Sequence, residues 1–202
     1  MVIALAAYYG DGPLPFPQFV DAQPPPKASA PAPQPAVAVT PDPSSRCVEA
    51  SVGNEKRCLK PKDTFKDCDA CPEMVVVPAG SFTMGSPANE PQRSKSEAQA
   101  RVTIAKPFAA GKFAVTFDEW DACVADRGCN GYKPDDQGWG RGTRPVINVN
   151  CDDVKAYAAW LSRKIGKTYR LLSEAEREYV TRAGTTTPFW VEVLDHAQAG
   201  QL

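Results

Sequence analysis

The sequence predicts an α+β fold with much irregular structure, confined to the part of the chain after residue 72. Three observations carry this. Short runs rich in β-branched and aromatic residues cluster between Met74 and Val115, as half-buried strands require. Three helices with recognisable caps follow between Thr116 and Gly184. Between the first two of those helices, Gly128 to Pro145 shows neither a two-residue nor a 3.6-residue period.

Taken in order, Met74-Val75-Val76-Val77 and Ser81-Phe82-Thr83-Met84 flank Pro78-Ala79-Gly80. They read as a β-hairpin or as two abutting strands. The polar run from Ser86 to Ala100 reads as a surface loop. Arg101-Val102-Thr103-Ile104 and Lys112-Phe113-Ala114-Val115 are the next strand candidates, with Pro107 and Gly111 as punctuation.

The first helix opens on Thr116, with Glu119 three residues on, the spacing of a capping box. Phe117, Trp120 and Val124 then share a face. The second opens on Asn150, with Asp152 and Asp153 in the electropositive first turn. Its stripe is Cys151, Val154, Ala158, Leu161 and Ile165, and Gly166 stops it. In the third, Ser173 and Glu176 form another capping box, Tyr179 and Ala183 face inward, and Gly184 ends the helix. The long excursion from Gly128 to Pro145, with Tyr132 and Trp139, has the length of a functional loop, and an irregular packed segment would look the same.

Ahead of this region, residues 1–46 carry Pro24-Pro25-Pro26 and Ala30-Pro31-Ala32-Pro33-Gln34-Pro35. Such composition buries too little apolar area to offset chain entropy, so an extended, polyproline-like tether is expected. Met1 to Tyr9 is apolar but lacks the basic flank of a secretory signal. It is also far short of the ~20 apolar residues that span a bilayer, so no membrane span is expected. Residues 47–72 read as a charged, cysteine-bearing connector whose fold the sequence does not declare.

The 202 residues carry 23 Lys and Arg against 24 Asp and Glu, with no long block of either sign. That balance leaves no footprint for nucleic acid or an anionic membrane. Gly138, Gly140 and Gly142 alternate, but no strand-to-helix context or phosphate-binding lysine accompanies them, so they are not a nucleotide loop.

Among the seven cysteines, Cys123 and Cys129 are close enough across a Gly128 turn to form a disulfide. Cys68 and Cys71 form a C-x-x-C and are disulfide candidates. A redox role would need this motif to open a helix, whereas Pro72 leads into a strand. A zinc knuckle would need a second close pair, and Cys47 and Cys58 are too far apart for one. Cys151 reads as a small apolar core residue. Paired cysteines lean toward an exported or periplasmic protein. With His196 the one histidine, a Cys-His or Ser-His relay and a two-His iron site are excluded for this chain alone. Asp135 with Asp136, and Glu174, Glu176 and Glu178, could supply acid-base pairs; capping and solvation account for the glutamates, and no catalytic residue is assigned.

Four ordered segments carry a family resemblance. The run from Val75 to Ser86 (VVVPAGSFTMGS) looks like the opening signature of the sulfatase-modifying-factor, or formylglycine-generating enzyme, family. Phe113 to Thr116 resembles its next strand. Arg144 to Val149 with Asp152-Asp153 and Ala156 to Leu161 is similar to its central helix entry, and Tyr169 to Glu176 with Glu178-Tyr179 and Arg182-Ala183-Gly184 resembles its third signature. Cys151 and Arg177 stand where the family usually has Trp. The resemblance implies a mixed fold related to C-type lectin domains. It also implies oxidation of a cysteine in a protein partner, typically a sulfatase, to formylglycine, with copper and calcium in complete members.

The family's Gly-Asn-Val-Trp-Glu-Trp, Arg-Gly-Gly-Ser-Trp and closing Gly-Phe-Arg segments do not occur in this chain. The resemblance implies that the copper-binding thiol pair and the calcium loops belong to them. The expected map is therefore a linker over 1–46, a connector over 47–72, a partial family domain over 73–190 and a non-family tail over 191–202. A one-base deletion at the Val191 codon would let that tail decode as the family's usual continuation, so a frameshift is the expectation there. Three functions follow for comparison: a cysteine oxidase, a non-catalytic lectin-like binding module, and an inactive truncated product. The expectation is no metal site, no cofactor and no turnover in this chain.

Overall fold

Pro78 lacks the N–H that a continuing ladder would need, and at this point the chain changes sheets. The computed structural model describes residues 5–8, 18–20, 47–53, 55–91 and 93–187. Strand β6 (Met74–Val77) lies in a five-stranded antiparallel sheet with β1 (Leu5–Tyr8), β5 (Thr64–Phe65), β9 (Phe108–Gly111) and β10 (Thr168–Leu171), in the order β10-β1-β9-β6-β5. Strand β7 (Gly80–Met84) belongs instead to a three-stranded sheet with β2 (Gln18–Val20) and β8 (Ala100–Ile104), in the order β2-β8-β7. Of the two arrangements open to Met74–Met84, the structure thus has abutting strands rather than a hairpin.

Strands β3 (Val48–Val52) and β4 (Glu55–Leu59) pair as a separate hairpin, with Val48 opposite Leu59 and Val52 opposite Glu55. This is part of the connector expected over 47–72, and it is not peripheral. Ala50, Val52, Leu59, Phe65 and Cys71 are all buried in the main core with Met74, Trp120 and Leu161. Within the expected linker, Leu5–Tyr8 and Gln18–Val20 are strands; the proline runs between them and Cys47 lie outside the described residues, as do His196 and the tail over 191–202.

The strand expected at Lys112–Val115 is displaced. The strand is Phe108–Gly111, beginning directly after Pro107, and Lys112 only extends the pairing through its N–H to the Glu73 carbonyl. The β-branched criterion overlooked it because its centre is Ala109-Ala110. Both are buried, on opposite faces of a sheet covered on each side, where small residues let neighbouring layers approach.

The helices are α1 (Phe117–Ala125), α2 (Cys151–Ile165) and α3 (Glu174–Arg182). Thr116, Asn150 and Ser173 each close a reciprocal capping box with Glu119, Asp153 and Glu176 respectively. On α2, Val154, Tyr157, Ala158, Trp160 and Leu161 are buried, and Gly166 takes the left-handed cap. Cys151 does not join that stripe. It is exposed and free, because as the first helical residue it precedes the turn that meets the core. On α3 it is Ala175 and Glu176 that are buried; Tyr179 is half-buried and Ala183 is exposed. Ala183 takes the left-handed cap at φ 47°, one residue before Gly184, and so turns away from the core.

Two apolar clusters result. The larger lies between the five-stranded sheet, the β3-β4 hairpin and helices α1 and α2, with Trp120 stacked on Tyr157 at 5.6 Å. The smaller joins Val102, Ile104, Phe108 and Ala110 to Ala175 of α3. Each aromatic or aliphatic side chain fully removed from water in these clusters contributes about 1.5–3 kcal/mol.

Candidate functional site

Helix α1 starts where three segments converge, and they leave a groove of about 630 Å³. Its lining comes from the connector (Lys66, Asp69, Ala70, Pro72 and Glu73), from the cap and first turn of α1 (Thr116, Asp118 and Glu119), and from Thr143 and Pro145 of the long loop. Phe113 forms the rim and keeps 62% of its surface exposed, an unusual position for a large apolar ring.

The charges are unevenly used. Glu73 is ion-paired to Lys112 at 2.9 Å, and the lysine hydrogen bond, followed by one from Thr64, holds the Glu73 carboxyl below its ordinary value. Glu119 accepts the Thr116 N–H at 2.8 Å as part of its cap. Asp69 and Asp118 both line the groove and stand exposed, with Lys66 the one cation in the lining. The groove is therefore acidic with an apolar rim.

The long loop that closes its end is irregular but held. Asp135 and Asp136 accept the N–H groups of Gln137 and Gly138, and the Asn148 side chain donates to the Asp135 carbonyl at 2.7 Å. Arg141 pairs with Asp121 at 2.5 Å, donates to the Pro134 carbonyl, and lies over the Phe117 ring at 4.3 Å. The guanidinium of Arg144 covers Trp139 at 5.7 Å and hydrogen-bonds its carbonyl. Asp135 and Asp136 serve the loop backbone, Glu176 is sealed in an ion pair with Arg170, and Glu178 holds the Gly85 N–H at 2.9 Å. In the main core, stacked on Trp120, Tyr157 is buried with its hydroxyl lacking a partner, and burial pushes its phenol pKa upward.

The cysteines are where redox chemistry would have to start. Cys123 joins Cys129 and Cys68 joins Cys71, the two disulfide pairs expected; Cys47 joins Cys58 across the ends of the β3-β4 hairpin, a pairing that spacing in the sequence did not suggest. The signal available for the third was the hairpin itself, which places position 58 opposite 49. Cys151 alone is free. Among the described residues no group of three or more His, Cys, Asp or Glu side chains could hold a metal ion. Copper held by a thiol pair, or calcium held by six to eight oxygens, does not fit this donor set. No described helix is long and apolar enough to cross a membrane.

Comparison with known proteins places this geometry. The family description "Sulfatase-modifying factor enzyme 1-like domain" matches residues 60–200, a span wider at both ends than the motifs from Glu73 to Trp190. The solved structure of PvdO from Pseudomonas aeruginosa is similar at 47% identity and a TM-score of 0.59, covering 66% of this chain and 56% of that one. This chain thus spans little more than half of that solved chain. No curated protein matches it. With a match over more than half its length, the chain belongs to the sulfatase-modifying factor enzyme 1-like (formylglycine-generating enzyme-like) domain family.

Proposed function

We propose that the residues present here form the partner-binding part of a formylglycine-generating enzyme-like domain, and that they hold an extended segment of a protein in the Phe113 groove without oxidising it. The carrying observation is the state of the cysteines: six of seven are closed in disulfides, and the seventh, Cys151, stands alone on a helix end. Oxidising a substrate cysteine requires a reactive thiol beside a second thiol or a metal, and the described residues offer neither. The lining of the groove favours a peptide with a basic side chain between Asp69 and Asp118 and an apolar one against Phe113. Three disulfides suit an oxidising compartment.

The reading is tested with a Cys-x-Pro-x-Arg peptide, copper and oxygen. Mass spectrometry is expected to show no formylglycine, while fluorescence anisotropy shows binding that Asp118→Asn weakens. Copper-dependent formation of formylglycine by this chain, whether or not Cys151→Ser abolishes it, would overturn the non-oxidising role, and binding indifferent to Asp118→Asn would overturn the groove.

A non-catalytic lectin-like module is the second reading. It is favoured by the exposed Trp139 and Tyr132 on a loop held by its own hydrogen bonds.

A further inference from the structure

One interior strand of the five-stranded sheet comes from outside the family-matched residues. Strand β1 (Leu5–Tyr8) lies between β9 and β10 and pairs antiparallel with both, Leu5 to Tyr8 against Leu171 to Thr168, and Ala6 and Ala7 against Ala110 and Ala109. The family match begins at residue 60. Among the described residues β9 and β10 do not pair with each other, and β10 has no strand partner besides β1.

Both walls of this slot are fixed by contacts that do not involve β1. On one side β9 pairs along its whole length with β6, Phe108 to Gly111 against Val77 to Met74. On the other, β10 is tied to α2: Tyr169 donates its N–H to the Ser162 hydroxyl at 2.9 Å and accepts from it at 3.1 Å. The Tyr169 hydroxyl reaches Asp67, and Arg170 holds Glu176 at 2.7 Å. Removing β1 would leave two anchored strands with their inner backbone groups unpaired and would open both apolar clusters, since Ala109 belongs to one and Ala110 to the other. Unpaired backbone at that depth is costly, and what satisfies it is another extended strand.

We infer that the gap between β9 and β10 is a strand-acceptor site, and that Leu5–Tyr8 occupies it as a tethered, exchangeable ligand. The site selects an apolar segment of about one strand's length, because its neighbour β9 is buried on both faces, Ala109 in one cluster and Ala110 in the other. It also selects small residues at the two central positions, where Ala6 and Ala7 stand opposite Ala110 and Ala109. The sequence between Tyr8 and Gln18 acts as the leash, because β2 is itself paired with β8, so occupancy is governed by effective concentration rather than by chain continuity.

The test uses the full chain with a protease site inserted between Gly12 and Pro13, ahead of β2, so that the piece released carries β1 alone. After cleavage the N-terminal piece is expected to co-elute with the remainder on native gel filtration. An excess of fluorescent peptide of residues 1–12 then enters the protein and displaces that piece, read by anisotropy. A peptide carrying Ala7→Pro loses a ladder donor and binds about ten-fold or more weaker; one carrying Ala6→Trp is likewise excluded. In the uncut protein, hydrogen exchange shows the amides of β9 and β10 protected. Release of the piece on cleavage with an unchanged melting temperature, failure of the labelled peptide to enter, or equal entry of the Ala7→Pro peptide would each overturn the inference.

Discussion

Tyr169 donates its phenolic hydrogen to Asp67, a carboxylate with no exposed side-chain surface, and so joins strand β10 to the segment before β6 across 102 positions of sequence. Lys167 pairs with the same carboxylate at 2.5 Å and also reaches the Ser51 carbonyl, while Gly53 donates its N–H at 3.3 Å. One buried anion thereby fastens the β3-β4 hairpin, the connector and the α2-β10 turn together.

Asp67→Ala is expected to be among the most damaging substitutions, because it strands a mostly buried ammonium and a phenol without their acceptor. Breaking one side of a buried ion pair costs about 3–5 kcal/mol. Tyr169→Phe leaves Asp67 its other donors and should cost about 1–2 kcal/mol. Urea denaturation midpoints for the two variants check the order; equal effects would mean that the charge pair is not what holds the hairpin.

Glu176 is 1% exposed, pairs with Arg170 through two 2.7 Å bonds, and caps α3 by accepting the Ser173 N–H at 2.8 Å. Arg170→Lys keeps the charge but cannot make both contacts. Its expected cost is about 1–3 kcal/mol, visible as an earlier thermal transition, with Glu176→Ala worse.

Cys151→Ser should change stability by no more than about 0.5 kcal/mol, as for exposed sites away from special features. In the native, unreduced protein an alkylating reagent is expected to label Cys151 and leave Cys47, Cys58, Cys68, Cys71, Cys123 and Cys129 untouched. Intact-mass measurement gives the stoichiometry directly.

Gly128 has an ordinary negative φ, so its requirement is steric. A Cβ there would stand 2.6 Å from the Trp160 ring and 2.7 Å from the Cys123 sulfur. Gly128→Ala should cost about 1–3 kcal/mol as an overpacked site, with the melting temperature as the measurement.

Asp126 should contribute to acid sensitivity, as should Glu73. The Trp160 indole N–H, and after it Lys164, hold the Asp126 carboxyl below the usual carboxylate value. A carboxyl whose pKa falls on folding contributes stability that is fully present above its unfolded pKa of ~3.9 and is lost as pH falls through the lower folded value. Asp126→Asn is therefore expected to flatten the acid limb of stability against pH below about 4, read from denaturation midpoints at stepped pH.

What the sequence made legible follows from the range of each interaction. The three capping boxes are local, three residues from end to end, and Thr116, Asn150 and Ser173 were readable for that reason. Gly166 likewise announced its own left-handed cap. By contrast, β9 has alanines at its centre because layers close over it from both sides, and no local period records that. Cys151 was misread because helical periodicity assigns a face but not where along the helix the core begins. Of the groove, Thr116 and Glu119 were visible as a cap, but their juxtaposition with Asp69 and Phe113 depends on the connector folding onto α1. The Asp67 to Tyr169 bond lies beyond the reach of any windowed pattern.

The Gly128 turn has one more result. It places the Trp160 indole and the sulfur of the Cys123–Cys129 bridge within 2.7 Å of a common point, close enough for a disulfide to quench tryptophan emission. The emission of Trp160, one of four tryptophans, should accordingly be quenched, and it should brighten when that bridge is reduced, as the difference from a Trp160→Phe protein would show. A cuvette and a reductant would follow the integrity of this corner without a label.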